Sequence, residues 1–464
     1  MASNIAPFRH PAFRGLVGVA RSDITPPSGI YARNWGAASH DAAEGVHRPL
    51  TLTALAIQAR GDSDPLVLVD ADAGWWRSIQ LERRFRTRLL KALKLDPARL
   101  IVALTHTHAA VPLTDQADPD WRGAELLAAY LEQLHQAALD AVTQALQGAR
   151  VATLAWHTGR CSLAAARDLA DPDSHRARRI CGFDPTPIAD DTLLVGRLTD
   201  ADGGAAATIC NYACHPTTLA WENRLISPDF VGAMRQTVEH ATGAPALFLQ
   251  GASGELAPRH QYVGDPAVAD RHGRQLGHAV LATLADMEPP GQRLAFAGTV
   301  ESGAPLAVWR NEPDGACETL ACRCLSVELP LKEWPSAQEL ERQRTATDDR
   351  TLRERLRRKL NVRRSLGDGR TFELPVWVWH VGDAVLIGSM AEAYSWLQQH
   401  LRLRFADRAI VYLNHANGTS GYLPTENLYD EDVYQVWQTP FDRGSLESLA
   451  QAIIGALADC KTEC

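Results

Sequence analysis

The order of strand-like and helix-like segments in the N-terminal third of the chain restricts it to the α/β class. An apolar run, Leu66–Val69, predicts a strand, and apolar residues at helical spacing predict a helix over Ser78–Leu93. The pair Asp96–Pro97 ends that helix, Leu100–Leu104 predicts a second strand, and a long helical pattern spans Trp121–Leu146. Strands that alternate with helices in this way form sheets that are covered by helices.

The rest of the chain continues the alternation. Further strands are predicted over Thr192–Arg197, Ala206–Ala213, Ala246–Leu249, Pro375–Trp379, Ala384–Gly388 and Ile410–Leu413. Helices are predicted over Phe230–His240 and from Met390 onwards. The sequence therefore predicts an α/β protein with several strands in more than one part of the chain.

Composition and charge exclude several classes of function. Of the 464 residues, 45% are hydrophobic and 22% are charged, which is ordinary for a globular protein with a large core. The net charge of -8 argues against a nucleic-acid partner, which would require a basic face. No run of about 18 apolar residues occurs, so stable membrane insertion is not expected. A small-molecule partner is expected, and a homo-oligomer remains open.

The cysteines and the N-terminus bear on localisation. Nine cysteines are scattered without a repeating framework, and we interpret them as reduced thiols. The trio Cys317, Cys322 and Cys324 lacks the paired spacing of a zinc knuckle. The N-terminus shows no apolar stretch typical of a secretory signal. A cytoplasmic protein is therefore expected.

Charge sets the segment 336–366 apart from the rest of the chain. It includes the run R-E-R-L-R-R-K-L-N-V-R-R and has few apolar residues. Two interpretations are open: a basic amphipathic helix that contacts anionic lipid or a partner, or one or two exposed helices on the surface. The acidic residues Glu339, Glu341, Asp348 and Asp349 offset the basic charge and favour the second.

Polar loops follow several of the predicted strands. They are T-H-T-H at 105–108, N-Y-A-C-H-P-T-T at 211–218, Q-G-A-S-G-E at 250–255, S-M-A-E-A-Y at 389–394 and N-H-A-N-G-T-S-G-Y-L-P-T at 414–425. Ligand sites of open α/β sheets lie beyond the carboxyl ends of the strands. We therefore expect these loops to converge on one crevice.

The first of these loops places His106 and His108 on the same side of an extended chain, because residues two apart point the same way. The pair fits a metal ligand with its neighbour, but such a pair alone is more often two surface or hydrogen-bonded histidines. By itself each of the polar loops has such an alternative, and only their joint occurrence favours a metal site.

Taken in order, these motifs resemble the catalytic domain of the neutral, non-lysosomal ceramidase family. The matching stretches are Gly18–Pro27, Thr105–His108, Asn211–Thr218, Gly254–Pro258 and Gly421–Thr425, followed by Tyr434. The resemblance implies a multilayer fold in which mixed β-sheets are flanked by helices. It also implies a single metallohydrolase domain over 1–464, with the charged helical segment at about 336–366 as an excursion.

The resemblance further implies a zinc ion held by two histidines, a glutamate and a tyrosine. Residue by residue these are His106, His215, Glu392 at the start of the helix predicted after Gly388, and Tyr422. Imidazole and carboxylate suit Zn²⁺, and the ion can lower the pKa of a water ligand towards about 7. His108 would lie beside the metal, where it could stabilise an oxyanion or orient a ligand.

Two departures from the family pattern concern the substrate and the nucleophile. The ceramidases carry a serine in G-D-x-S-P, whereas this chain has Ala257 in the place of the serine and Glu255 in the place of the aspartate. An alanine methyl group cannot attack a carbonyl, and Ser253 is better placed as a turn hydroxyl. The sequence also shows neither the C-terminal β-sandwich domain nor the signal sequence of the ceramidases. Ceramide is therefore not the expected substrate.

We accordingly expect a zinc-dependent hydrolase that cleaves an amide C–N bond of a soluble small molecule with metal-activated water. Glu255 is a candidate general base, and Arg33 and Asn34 are candidate substrate-binding residues. Arg33 could instead simply pack on Trp35. Two alternatives remain: a zinc enzyme of another class, acting as an ester or lactone hydrolase, lyase or glycosidase on a sugar or hydroxy acid, and a non-catalytic metal-binding homologue.

Overall fold

The structure is a computed structural model of the full chain and describes residues 5–61, 64–118, 120–173 and 175–459. The strands of these residues are β1 (Ala12–Asp23), β2 (Gly45–Val46), β3 (Thr51–Gln58), β4 (Leu66–Ala71), β5 (Leu100–Leu104), β6 (Arg150–Arg160), β7 (Ala164–Ala166), β8 (Asp168–Ala170), β9 (Arg179–Cys181), β10 (Thr192–Asp200), β11 (Ala205–Tyr212), β12 (Leu225–Ile226), β13 (Ala246–Gln250), β14 (Leu256–Pro258), β15 (Gln292–Ser302), β16 (Ala304–Pro313), β17 (Leu320–Pro330), β18 (Thr371–Val381), β19 (Ala384–Ser389), β20 (Ala391–Ala393), β21 (Ala409–Leu413) and β22 (Gly421–Leu423).

The α-helices of the same residues are α1 (Ile79–Leu93), α2 (Leu127–Gly148), α3 (Phe230–Thr242), α4 (Pro266–Ala285), α5 (Ala337–Ala346), α6 (Arg350–Leu366), α7 (Trp396–Arg404), α8 (Tyr434–Gln438) and α9 (Ser445–Ala458).

Two mixed sheets form the centre of the molecule. The larger has eight strands in the order β13-β11-β10-β6-β1-β3-β4-β5, and the smaller has four in the order β17-β18-β19-β21. Most neighbours are antiparallel, but β4 with β5, β11 with β13 and β19 with β21 are parallel. The multilayer α/β fold implied by the resemblance is therefore confirmed.

The layers form because apolar side chains of a strand point alternately to the two faces of the sheet. In β4, Val67 and Val69 pack under α1 and α2, while Leu66 and Leu68 face the smaller sheet. Successive strand residues point to opposite faces, so an all-apolar strand is buried on both. Helices α3 and α4 cover the other end of the larger sheet, and α7 and α9 cover the smaller one. The order of layers is helices, large sheet, small sheet, helices.

Most predicted elements are confirmed, with two errors near functional residues. Helix α1 begins after Ser78, whose hydroxyl accepts from the Leu81 backbone as an N-cap. The helical pattern predicted from Trp121 begins as a regular helix only at Leu127, after a 3-10 turn. The helix predicted from Met390 is wrong, because the short strand β20 comes first and α7 begins at Trp396.

The charged segment 336–366 forms helices α5 and α6, as predicted, but it is not a solvated excursion. Leu340, Leu356 and Leu360 are buried together between the two helices. Asn34 accepts a hydrogen bond from Arg358 of α6 through its backbone oxygen. Helix α6 is therefore packed onto the body of the protein, with arginines on its inner side.

The cysteines differ partly from the expectation. Cys161, Cys181, Cys210, Cys214 and Cys324 are free thiols. Cys317 is disulfide-bonded, so the prediction that all nine cysteines are reduced is wrong for this residue. Within the described residues, no helix combines the length and the apolar character needed to cross a membrane.

A buried ion pair joins α3 to the larger sheet. The guanidinium of Arg235 donates to both carboxylate oxygens of Asp72 at 2.7 and 2.6 Å and to Asp70 at 2.7 Å. Burial raises the pKa of Asp70 to about 6, although Arg235 opposes that rise. Removing one partner from such a group leaves an uncompensated buried charge.

We expect Arg235→Met to lower the free energy of unfolding by about 3–5 kcal/mol, because two buried carboxylates lose their counter-ion. Urea unfolding measures this change. Arg88→Met is the matched control, since Arg88 pairs with Glu132 at 2.7 Å on the exposed surface and should cost only about 0–1 kcal/mol. Equal effects of the two substitutions would contradict a stabilising role for the buried pair.

Candidate metal centre

His106 lies in a strained turn directly after β5. Its backbone φ is +68°, in the left-handed region that residues other than glycine rarely adopt. Its backbone N–H donates to Ala73 O at 2.9 Å, and its ring Nδ1 donates to Gly74 O at 2.9 Å. The strain, of the order of 1–3 kcal/mol, is characteristic of functional sites. The Nε2 atom of His106 lies 3.3 Å from Nε2 of His108 and 3.6 Å from Oε2 of Glu392.

His215 follows β11 in the second polar loop, and its ring is held in the same way. The Nδ1 atom donates to Ser253 O at 2.7 Å, with Leu256 O at 3.1 Å. Because a carbonyl oxygen can only accept, the proton of the neutral ring is on Nδ1 and the lone pair is on Nε2. Burial, followed by the charge of Arg167, lowers the pKa of His215 to about 3.

Glu392 completes a group of three buried side chains. Its Oε2 atom lies 3.2 Å from Nε2 of His215 and 3.6 Å from Nε2 of His106, and the ligand atoms of all three lie within 4.8 Å of one another. Burial would raise the pKa of Glu392, but the neighbouring His106 and other imidazoles hold it well below its ordinary value. The three residues provide two imidazole nitrogens and one carboxylate around one point.

Tyr422 lies beside this group because β22 runs parallel to β20, with Tyr422 opposite Glu392 in the register. Its ring stacks near His215 at a centroid distance of 6.5 Å, and its hydroxyl accepts from Arg167 at 3.2 Å. Burial and the charge of Glu392 raise the pKa of the phenol well above its ordinary value, against the effect of Arg167. The structure thus brings Tyr422 to the site, and its role as fourth ligand stays a prediction.

His108 lies next to His106, with their Nε2 atoms 3.3 Å apart. Trp35 and Trp75 contact its ring at centroid distances of 5.1 and 4.9 Å. Burial, followed by the neighbouring His106, lowers the pKa of His108 well below its ordinary value. The ring is therefore neutral, and its buried Nδ1 atom has no hydrogen-bond partner among the described residues.

The contacts of Glu255 do not match the general-base role that was predicted for it. Its carboxylate accepts hydrogen bonds from the backbone N–H of Ser395 at 2.9 and 3.0 Å and from the Ser395 hydroxyl, at the start of α7. Burial raises its pKa to about 7. Negative charge is favoured at a helix N-terminus, so this arrangement explains the residue structurally. Its function as general base stays a prediction that the geometry does not support.

Arg33 and Asn34 line a small cavity that shares only His108 with the candidate metal centre. Arg33 lies 3.4 Å from Asp41 and donates to Trp35 O. The Asn34 side chain is buried, donates to Ala110 O at 2.7 Å and accepts from Arg77 at 2.8 Å. Substrate binding by either residue stays a prediction, and Asn34 instead orients another guanidinium.

Two functional candidates were missed in the sequence. The ring of His415 stacks on His106 with centroids 3.9 Å apart, and its Nε2 atom lies 3.8 Å from Glu392 Oε1. Arg167 donates to Gly254 O at 2.7 Å and lies 3.5 Å from His215 Nε2. The loop that contains His415 was recognised, but no spacing singled out that histidine, and Arg167 belongs to none of the motifs.

A cavity of about 70 Å³, open to solvent, leads to this centre. Its walls include Trp75, Arg77, His106, His108, Arg358, Asn361, Glu392, Tyr422, Tyr434 and Gln438. Ala257, at the position of the family's serine, is buried in β14 with only 1% of its surface exposed. The Ser253 hydroxyl accepts from Gln250 at 2.6 Å, as expected for a structural hydroxyl.

Comparison with solved structures identifies the fold. No protein-family model and no curated protein matches the chain. A neutral ceramidase from Pseudomonas aeruginosa superposes with a TM-score of 0.67 and 17% identity, over 96% of this chain and 74% of that one. A ceramidase solved in complex with C2 gives a TM-score of 0.66 and 16% identity, over 98% and 76%. The chain therefore has a ceramidase-like fold, as the sequence motifs predicted.

Proposed function

We propose that the protein is a zinc-dependent hydrolase that cleaves an amide bond of a soluble small molecule. The observation that carries this proposal is the convergence of two imidazole nitrogens and one carboxylate on a single buried point. The likeness in fold to neutral ceramidases supports amide hydrolysis as the reaction class. The cavity lined by His106 and Glu392 gives a small substrate access to the centre.

The donor set fits a zinc ion. His106 and His215 present Nε2 lone pairs whose direction is fixed by the Nδ1 hydrogen bonds, and Glu392 provides a carboxylate oxygen. Two histidines and a glutamate are a common catalytic zinc set, and Tyr422 is the proposed fourth ligand. When bound, the ion supplies Lewis-acid activation of water and of a substrate carbonyl.

Of the remaining side chains, one can donate a hydrogen bond to the substrate, and the others hold their neighbours in position. Neutral His108 carries one N–H and can donate it to the carbonyl oxygen as negative charge develops there. The indole rings of Trp35 and Trp75 fix the imidazole by packing against it. Arg167 and Tyr422 are buried together, and the guanidinium of Arg167 donates to the phenol oxygen.

Water is the proposed nucleophile, because the chain has no hydroxyl where the ceramidase family carries its serine. The methyl group of Ala257 cannot form an acyl intermediate, and the Ser253 hydroxyl is bonded to Gln250. Hydrolysis adds water across the C–N bond and yields a carboxylic acid and an amine. The proposal therefore requires no covalent step on the protein.

We expect His106→Ala and His215→Ala each to remove most of the bound zinc, because each substitution deletes one of the converging donors. The loss of affinity should exceed the roughly 10–100-fold that changes to outer-shell partners cause. Elemental analysis by mass spectrometry after dialysis measures the zinc content. His157→Ala is the control, since that ring lies on the surface against Asp286. A wild-type protein without divalent metal after zinc supplementation would contradict the proposal.

We expect the zinc-loaded protein to release amines from a library of N-acyl compounds, and a chelator should abolish this activity. Added Zn²⁺ should restore it, because the ion carries the Lewis-acid function. Fluorescent detection of primary amines measures turnover. A matched library of esters, lactones and glycosides is the control. Turnover confined to that second library would show that the amide assignment is wrong while the metal site is right.

We expect His108→Ala to lower kcat by about 10²–10³-fold, the cost of removing one hydrogen-bond donor to an oxyanion. The zinc content should stay unchanged, because His108 is outside the proposed ligand set. Steady-state kinetics on an amide identified in the library, together with elemental analysis, separates the two effects. Loss of zinc along with activity would instead identify His108 as a metal ligand.

A further inference from the structure

Helix α6 and the residues before α1 place two guanidinium groups in the wall of the main cavity. Arg358 lines it from α6, together with Asn361 and Ser365, and Arg77 lines it from the segment that precedes α1. None of the motifs shared with the ceramidase family includes these residues. The charged segment thus contributes directly to the cavity that contains the candidate metal ligands.

One indole ring connects the two guanidinium groups to the candidate centre. The Trp75 ring centroid lies 4.4 Å from the Arg77 guanidinium carbon and 5.5 Å from that of Arg358. The same ring contacts His106 at 5.6 Å and His108 at 4.9 Å. Both cations are therefore within the span of a small substrate whose other end reaches the metal ligands.

Positive charge exceeds negative charge at this wall, and the other carboxylate of the cavity is the candidate metal ligand Glu392. Glu354 pairs with Arg357 at 2.6 Å and with Arg358 at 3.0 Å, and it lies 3.8 Å from Arg77. A single carboxylate is thus shared by three guanidinium groups. Burial would raise the pKa of Glu354, but Arg357 and then Arg358 and Arg77 hold it at about 2.

Arg77 is a buried cation with unused hydrogen-bonding capacity. Only 5% of its side chain is exposed, and its Nη1 atom has no hydrogen-bond partner among the described residues. Burial, followed by the charge of Arg357, lowers the pKa of Arg77 to about 9. Glu354, 3.8 Å away and shared with two other guanidinium groups, offsets this effect only in part. A buried donor without a partner is costly unless a ligand satisfies it.

We propose that Arg77 and Arg358 bind a carboxylate group of the substrate, so that the protein acts on acidic amides such as N-acyl amino acids. This inference names the substrate class of the proposed hydrolase and rests on that function. Guanidinium groups bind carboxylates through charge-assisted hydrogen bonds, which the partly buried cavity wall strengthens. Arg77 already donates to Asn34, and Arg358 to Glu354, Tyr434 and Asn34 O, so the two side chains keep only a few N–H groups, which suit a small monoanion.

The test titrates the zinc-loaded full chain with two probes of nearly equal shape that cannot be hydrolysed. The charged probe is 3-phenylpropionate, and the neutral probe is 4-phenyl-2-butanone. Isothermal titration calorimetry should show that the carboxylate binds at least about tenfold more tightly, as expected of charge-assisted hydrogen bonds. Equal affinities, or no binding of the carboxylate, would overturn the inference.

Arg358→Met should weaken binding of the carboxylate by at least about tenfold, leave the ketone unaffected and leave the zinc content unchanged. Arg358→Lys, which keeps the charge, should retain part of the affinity. Arg353→Met is the matched control, because Arg353 is an exposed arginine of the same helix. Arg77→Met should act like Arg358→Met, and thermal unfolding of each variant establishes that it is folded.

The His106→Ala variant separates this inference from the proposed function. If that variant loses the carboxylate while Arg358→Met keeps it, the metal rather than the arginines holds the anion. The inference would then be wrong and the hydrolase proposal intact. If the arginines bind the carboxylate but the zinc-loaded chain hydrolyses no amide, the anion site stands and the proposed function is wrong.

Discussion

The candidate metal centre depends on hydrogen bonds that fix two imidazole rings from behind. The Nδ1 atoms of His106 and His215 donate to backbone carbonyls at 2.9 and 2.7 Å, so that both Nε2 lone pairs point inwards. Without these bonds each ring could flip or change tautomer, and the buried carboxylate of Glu392 would lose its partners. The carbonyls belong to the turns beside β4 and after β13, so the packing of the large sheet sets the geometry of the site.

Two asparagines of one loop join the parts of the chain that carry the site. The side chain of Asn417 bonds to Val102 N and Leu100 O of β5, each at 2.8 Å. Asn414 accepts from Ala393 N at 3.1 Å, next to Glu392 in β20. This loop therefore connects the strand before His106 to the strand of Glu392, and it carries the ring of His415 between them.

Local patterns predicted much of the fold, and the resemblance to the ceramidase family implied which buried residues are candidate ligands. Apolar runs located β4, β5 and β19, and the polar loops located His106, His215 and Glu392. The error at Met390 arose because three strand residues before a helix have no periodicity of their own, and only pairing with β22 makes them a strand. Arg167 and Arg358 could not be found, because their roles depend on contacts with residues 255 and 324 positions away in sequence.

Helix α6 shows why a highly charged segment need not be a solvated one. Leu356 and Leu360 provide a narrow apolar stripe, and the arginine stems cover further apolar surface with their guanidinium groups at the edge. Composition averages over both faces of the helix, so it describes the segment as polar. The face towards the cavity concentrates cations around the single carboxylate of Glu354, and an exposed helix would gain nothing from that imbalance. A cavity wall that binds an anion does gain from it, and the charge of the segment is then part of the site.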